Sequence, residues 1–297
     1  MEFFIQLIVG GLSVGGTYAL VALGFVLIFG VANVLNIAHA QSIMLAPFFI
    51  FILMDQAKLP PVLAFPLALV LTVVIALIVY FAAIRPFLAA GRQSGYLAPF
   101  IASFGASLFI ENIVAKIFGS SSHPFPIEIQ RNVWRLGSIV FVPMQIVSMA
   151  CVVIAALVLA WVVRRSRIGR SMRAVAENPS VAESQGISAR RTIVITITIA
   201  TILGAVSGIL FAAGHNELSP FMGMEYGLKG LVVMIIGGVT SLPGAVVAGL
   251  LLGVAEALAV GYLSSTFSMV ISFGLLFVIL LARPTGLFAS ASRESRP

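Results

Sequence analysis

The sequence predicts an all-α, polytopic transmembrane helical bundle of about eight to ten membrane segments, with one long polar loop. Hydrophobic residues make up 60% of the 297 residues and charged residues only 9%, against about 45–50% and about 25% in an ordinary soluble domain. So few polar side chains cannot cover that apolar surface in water, and the apolar side chains must therefore face lipid or one another. Because apolar runs recur along the whole chain, residues 1–297 are predicted to form a single domain.

The apolar runs have lengths that suit membrane helices, since about 20 helical residues cross the hydrocarbon core. Nine runs are visible: 3–29, 37–54, 62–84, 97–118, 139–163, 192–213, 228–239, 245–262 and 267–282. The run 228–239 is short, which leaves open a half-helix, a re-entrant segment or a merger with its neighbour. Glu2 stands where a signal peptide would be basic, so the first run is predicted to be retained as a span.

Glycines spaced four residues apart predict close contacts between helices. Helices in lipid pack through small residues that let their backbones approach. The pairs are Gly11 with Gly15, Gly204 with Gly208, and Gly249 with Gly253. Such pairs occur in membrane proteins of every function, so they predict a compact bundle and no mechanism.

The net charge of +7 reports membrane topology and does not indicate a nucleic-acid partner. Loops rich in Lys and Arg stay on the cytoplasmic side of a membrane. Loop 85–92, loop 164–191 and the tail 283–297 are basic and are predicted to be cytoplasmic. With nine spans, the N-terminus is then predicted to lie on the outer, periplasmic side.

The loop 164–191 is the most informative polar segment. A helix-compatible stretch, a break at Pro179 and a second short helix ending at Gly186 can be recognised, since glycine favours the position just after a helix. The pattern suits a small rigid element to which a motor domain outside the membrane could dock. An ordinary solvated basic loop is the alternative that these residues leave open.

At this loop the sequence resembles a known family. The stretch GRSMRAVAENPSVAESQGI resembles the ATPase-contacting cytoplasmic loop of permeases in branched-chain amino-acid ABC importers. Three more stretches resemble the H-type permease subunit of that family. They read GGTYALVALGFVLIFGVANVLNIAHAQ near the N-terminus, GGVTSLPGAVVAGLLLGVAEAL later, and ARPTGLF at the end.

The resemblance implies a permease domain in an importer of the bacterial inner membrane that takes up branched-chain amino acids or related small polar solutes. Its implied partners are two cytoplasmic ATPase subunits, a second related permease and a periplasmic solute-binding protein. The chain has no Gly-x-x-x-x-Gly-Lys-Ser/Thr loop, so we expect no enzyme activity and no cofactor here, with ATP and Mg bound by the ATPases. The resemblance implies coupling residues Arg170, Arg173, Ala174, Glu177, Ala182 and Gly186.

A polar cluster interrupts the first two apolar runs and is a candidate part of the solute pathway. Its members are Asn33, Asn36, His39 and Gln41. Such groups are costly in hydrocarbon unless paired or wetted, so they often mark a cavity or an unwound helix end. The alternative is an interfacial turn whose asparagines cap the second helix.

The chain departs from the family at this cluster. The family's usual pattern reads Asn-Phe-Ala-His-Gly-Glu, whereas Ala40 and Gln41 stand at the last two positions here. The change removes a carboxylate that could pair with an ammonium group. It therefore leaves room for amides, urea-like solutes or organic acids.

Two acids lie within apolar runs, where an ionised carboxylate is expensive. Glu256 belongs to the GVAEAL stretch and is a candidate for the solute pathway, although a structural polar contact is favoured. Glu111 is expected to pair with Asn112 or Lys116. An outer loop carries four further polar residues that could meet a binding protein but are expected to be solvated: His215, Asn216, Glu217 and Glu225.

Two rival functions remain at this point. A stand-alone ion-coupled transporter or channel could share the broken helices and polar cluster. A membrane-embedded enzyme is disfavoured because the sequence offers no compact set of nucleophile, base and metal ligands. The single cysteine, Cys151, rules out an internal disulfide, and no metal site is expected.

Overall fold

A computed structural model describes residues 2–89, 97–126, 134–136 and 139–288. The helices are α1 (Glu2–Ala32), α2 (Gln41–Phe51), α3 (Pro61–Val79), α4 (Arg85–Ala89), α5 (Leu97–Phe118), α6 (Pro143–Arg165), α7 (Arg167–Glu177), α8 (Pro179–Ser184), α9 (Ala189–His215), α10 (Met222–Gly237), α11 (Leu242–Tyr262) and α12 (Ser268–Ala282). Short 3-10 turns cover Ile37–Ala40 and Ser265–Phe267, and π-helical turns cover Ile52–Gln56 and Tyr80–Ile84. Strands β1 (Trp134–Leu136) and β2 (Ile139–Phe141) form a small antiparallel hairpin.

The predicted polytopic bundle is confirmed. Within the described part of the chain, seven helical segments are long and apolar enough to cross a membrane, and Ser268–Ala282 is a shorter apolar helix. The short run 228–239 belongs to α10, which begins earlier, at Met222. Glu225 lies in the first turn of α10 and interrupts the apolar pattern there, so the apparent run begins only at residue 228.

The chain's two described termini lie at opposite ends of the bundle. Phe3 stacks edge-on against Tyr262 with ring centroids 5.8 Å apart, so the start of α1 lies beside the end of α11. The other end of α1 packs against the loop helices, because Val31 shares a buried cluster with Met172 of α7. We call this the loop end. The amide of Leu287 donates to the Ile236 carbonyl near the loop end of α10, at 2.8 Å.

The glycine pairs lie where helices approach most closely, as predicted. Gly11 and Gly15 of α1 face Gly249 and Gly253 of α11, and a Cβ atom at Gly253 would overlap the Gly15 backbone. A Cβ at Gly208 of α9 would likewise meet the Ile43 carbonyl of α2. Small residues thus set the spacing between α1 and its neighbours.

The polar loop forms the helix, break and second helix that its sequence predicted. Ser166 caps α7 by accepting from the Gly169 amide at 3.0 Å. Asn178 separates α7 from α8 and accepts from two backbone amides of α8. Gly186 has a φ of 79° and ends α8 in a Schellman motif, in which the Ile187 amide donates to the Ala182 carbonyl at 3.0 Å.

Substituting a contact glycine tests the role of this packing. Gly253→Ala should lower the free energy of unfolding by about 1–3 kcal/mol, because the added methyl group forces α11 away from α1. Gly105→Ala is the matched control, since nothing lies within 4 Å of a Cβ at that exposed position of α5. Thermal unfolding of both variants in detergent measures the difference. Equal melting temperatures would contradict the close-packing role.

Candidate functional site

The chain between α1 and α2 is broken inside the bundle. Helix α1 ends at Ala32, and Asn33 adopts the left-handed conformation, with a φ of 51°, which asparagine tolerates better than most residues. The 3-10 turn then carries His39 to Gly24 of α1 and Gly204 of α9, whose missing side chains leave room for the imidazole ring. Gly24 is about 12 Å from the end of α1 at 1.5 Å per residue, so the turn lies well inside the bundle.

Helix α5 holds this broken segment through one row of polar side chains, which we call the α5 polar row: Ser103, Ser107 and Glu111. The Ile37 amide donates to Ser103 Oγ at 3.1 Å. The Gln41 side-chain amide donates to Ser107 Oγ at 2.8 Å and lies 3.4 Å from Glu111 Oε2. Non-helical backbone is tolerated at membrane depth only where protein or water satisfies it, and α5 meets that need here.

The sequence reasoning missed both serines of the α5 polar row. Their signal was the spacing, since Ser103, Ser107 and Glu111 repeat every four residues and therefore share one face of the helix. Glu111 itself was expected to pair with Asn112 or Lys116. The structure corrects this, because the Asn112 amide donates to the Leu108 carbonyl at 2.8 Å and Glu111 instead accepts from Gln41.

The broken segment still carries buried polar atoms with no partner among the described residues. They are Asn36 Oδ1, Gln41 Oε1 and both ring nitrogens of His39. Asn36 and His39 line a small pocket with Ser42, Thr72 and Thr201. Its volume open to water is about 10 Å³, roughly enough for one water molecule. In this conformation the pocket therefore has no room for a solute larger than water.

The capping alternative for this segment is wrong. Asn36 occupies the position before the 3-10 turn, but its side chain makes no capping hydrogen bond. Ala40 precedes α2, and no side chain caps that helix either. The structure instead has the unwound helix end next to a cavity, which was the other interpretation of the sequence.

Asn33 is separated from the rest of the predicted cluster. It is exposed at the loop end and lines a groove of about 1010 Å³ between the end of α1 and the loop helices. Glu177 and Asn178 lie on the other side of this groove. The structure thus brings Asn36, His39 and Gln41 together and leaves Asn33 beside the loop.

Glu256 belongs to a separate buried charge network. Lys229 Nζ lies 2.6 Å from Glu256 Oε1 and donates to the Tyr18 hydroxyl at 3.2 Å and to the Ser268 hydroxyl at 3.1 Å. The Ser268 hydroxyl also donates to Glu256. The favoured structural contact of Glu256 is therefore present, and it joins α1, α10, α11 and α12.

Lys229 is a residue that sequence reasoning did not single out. It stands inside an apolar run, between Gly227 and Gly230. That position was a usable signal, since a lysine within a membrane helix almost always has a partner in the bundle interior. Both charges of the pair are largely buried.

The loop helices expose only part of the predicted coupling set. Arg170, Arg173, Glu177 and Gly186 are exposed, and Ala174 is partly buried. Ala182 of α8 is only 4% exposed, because it lies in a buried cluster with Met172 of α7 and Val31 of α1. Its role is therefore to hold the loop helices on α1. Val181, which the sequence reasoning passed over, is 56% exposed and presents an apolar surface outward.

The outer-loop residues form local contacts at the end opposite the loop helices. His215 stacks on Phe211 with ring centroids 4.0 Å apart. Glu217 accepts from the Ser122 hydroxyl at 2.6 Å. The backbones of His123 and Leu218 pair as a single antiparallel bridge. These contacts tie the connection after α5 to the connection after α9.

Comparison with known proteins agrees with this architecture. The family model described as the permease component of branched-chain amino acid transport systems matches residues 7–280. The chain belongs to this family. No solved structure matches it significantly.

Curated relatives cover nearly the whole chain. LivH of Salmonella typhimurium, a high-affinity branched-chain amino acid transport system permease protein, is 32% identical over 98% of this chain and 97% of its own length. BraD of Pseudomonas aeruginosa, of the same description, is 31% identical over 98% and 97%. A probable LivH of Methanocaldococcus jannaschii is 25% identical over 94% and 90%. These relatives are transporter permease subunits, so the predicted family and permease function are confirmed.

The Lys229–Glu256 pair gives a test of the site's architecture. Lys229→Met should lower the free energy of unfolding by about 3–5 kcal/mol, because it leaves Glu256 buried without its cation. The double variant Lys229→Met with Glu256→Leu should recover most of that loss, since it removes both charges. Chemical unfolding of the wild type, both single variants and the double variant measures the coupling. Additive losses would show that the two side chains do not stabilise each other.

Proposed function

We propose that this chain is one permease subunit of an ATP-driven importer of branched-chain amino acids or related small polar solutes. The contact between the loop helices and α1 carries the proposal. Val31 of α1 lies in one buried cluster with Met172, Val175 and Ala182 of α7 and α8, a few residues before the broken segment. A displacement of the loop helices would therefore reach Asn36 and His39 through a short stretch of chain.

The proposed partners are two cytoplasmic ATPases, a second permease and a solute-binding protein on the outer side of a bacterial inner membrane. ATP and Mg would bind to the ATPases. The basic loop and the described C-terminal residues lie at the same end of the bundle, and the start of α1 lies at the other. Because basic loops face the cytoplasm, this supports a periplasmic N-terminus and a cytoplasmic C-terminus.

The proposed mechanism is alternating access. The small pocket at Asn36 and His39 has room for roughly one water molecule in this conformation. ATPase movement at the loop helices would favour a second conformation in which the unpaired groups of the segment meet solute. A partner shifts such an equilibrium only by its differential affinity for the two states. The exposed loop residues Arg170, Arg173 and Glu177 are the proposed points of contact.

The composition of α5 supports a second permease against its outer face. Helices α3, α5 and α6 are all mostly exposed, yet α5 is markedly less apolar than the other two. The exposed residues of α5 include Asn112 and Lys116. Polar side chains are expensive against lipid, whereas a protein neighbour or a water-filled path accommodates them. We therefore place the proposed permease interface and solute path along α5.

Docking of the ATPases is tested at α8. Val181→Glu should reduce copurification of the ATPases and ATP-driven uptake at least about tenfold, because it places a charge on an apolar contact. Leu263→Glu is the control, since Leu263 is exposed at the opposite end of the bundle. Affinity purification from native membranes followed by ATPase assay measures both. If the Val181→Glu variant still docks the ATPases fully, α8 is not part of the surface that contacts them.

The α5 interface is tested with a photoreactive benzophenone amino acid. Phe109 of α5 and Leu157 of α6 are 67% and 65% exposed and serve as matched positions. Illumination of the purified complex should yield a permease-to-permease adduct from position 109 and only lipid adducts from position 157. Adducts from both positions, or from 157 alone, would contradict the assignment of α5 to the interface.

A further inference from the structure

Glu111 is a largely buried acid without a cation. It is 9% exposed, and its one hydrogen bond within the described residues comes from the Gln41 amide. No ion pair involves it among the described residues, whereas Glu256 has Lys229 at 2.6 Å. An ionised carboxylate inside a membrane bundle is normally paired or functional. The two buried acids therefore have different roles.

Gln41 fixes the position of this carboxylate. Its side-chain nitrogen uses both hydrogens on α5, one on Ser107 and one on Glu111. Its carbonyl oxygen, Oε1, has no partner in the described structure and is buried beside Gly223 of α10. Asn36 Oδ1, on the same broken segment, also lacks a partner. The buried polar atoms without a partner in this segment are therefore mainly hydrogen-bond acceptors. A protonated amine donates hydrogen bonds and accepts none, so it could satisfy them.

Glu111 also stands at the boundary between the buried and exposed faces of α5. Its neighbour Ile110 lines the small pocket with Asn36 and His39. On its other side, Asn112 is exposed on the face proposed to meet the second permease. The proposed path along α5 therefore runs beside this carboxylate.

We propose that Glu111 is the group that binds the ammonium of the transported solute and that Gln41 is the residue that positions it. This inference rests on the proposed importer function. Glu111 of α5 supplies the carboxylate that the family has at the position of Gln41. The glutamine is therefore compatible with a transported solute that carries an amine. A solute with a protonated amine would neutralise Glu111 during passage.

The test is leucine uptake by the complete complex in proteoliposomes, with its binding protein and ATP inside. Glu111→Gln should lower the uptake rate about ten- to a hundredfold, since a hydrogen bond to a charged group contributes about 1.5–3 kcal/mol. Its melting temperature should stay at the wild-type level, because the Gln side-chain oxygen can still accept from the Gln41 amide. The control Asp55→Asn makes the same carboxylate-to-amide change at an exposed position outside α5 and should transport normally.

A charge swap separates binding from folding. Gln41→Glu alone places two carboxylates side by side and should also transport poorly. The double variant Gln41→Glu with Glu111→Gln restores one carboxylate and one amide in the pair, and should recover leucine uptake to within about threefold. Leucic acid, in which a hydroxyl replaces the amine of leucine, should compete with leucine less in the wild type than in Glu111→Gln.

The outcomes distinguish this inference from the importer proposal. Wild-type complex that fails to transport leucine or to hydrolyse ATP overturns the proposed function itself. Wild-type transport with unchanged uptake by Glu111→Gln overturns only the role of Glu111. A Glu111→Gln variant that loses stability and is not rescued by the swap assigns Glu111 to structure alone and likewise overturns the inference.

Discussion

The structure depends on a break in the helical backbone at membrane depth. Between Ala32 and Gln41 the chain leaves α1, turns back into the bundle and starts α2 below the surface. Hydrocarbon offers no hydrogen bonds, so this arrangement persists only with polar groups from a neighbouring helix. The α5 polar row supplies them, and the glycines of α1 and α9 provide the space that His39 fills. Packing and hydrogen bonding thus serve the same segment.

The two buried acids show how one fold treats charge in two ways. Glu256 is paired with Lys229, and the hydroxyl groups of Tyr18 and Ser268 from two further helices complete the network, so its charge ties four helices together. Glu111 receives a single amide donor. An acid paired with a lysine is not open to a cationic ligand, because binding would leave the lysine without its partner. Among the described residues Glu111 has no cation to displace, and Gln41 fixes its position through a hydrogen bond alone.

The sequence predicts the fold well because its dominant signals are local. Apolar runs and Gly186 report helix lengths and a helix end, and most lie where expected, although α10 begins six residues before its apolar run and α6 begins after strand β2. The site was harder, since its contacts join residues far apart in the chain, as with Gln41 and Ser107. Asn33 lies near His39 in sequence but in a different groove. Ala182 lies in the stretch that resembles the ATPase-contacting loop of the family, but its side chain is buried. It is buried because α8 packs on α7 and α1, which the local sequence does not show. Position in the sequence therefore did not predict the surroundings of Asn33 or of Ala182.

The loop helices pack directly against the chain that leads into the broken segment, which links the proposed coupling loop to the proposed solute site. Val31 packs against α7 and α8, and the unwound stretch begins directly after it. A continuous helix would transmit a push along its axis to the opposite end of the bundle. Helix α1 is such a helix, since it runs unbroken from Gly11 and Gly15, which pack on α11, to Val31. The non-helical chain that begins at Asn33 instead allows the segment with Asn36 and His39 to change conformation relative to α1. In the proposed mechanism, the movement is therefore localised to the segment that carries the buried polar groups.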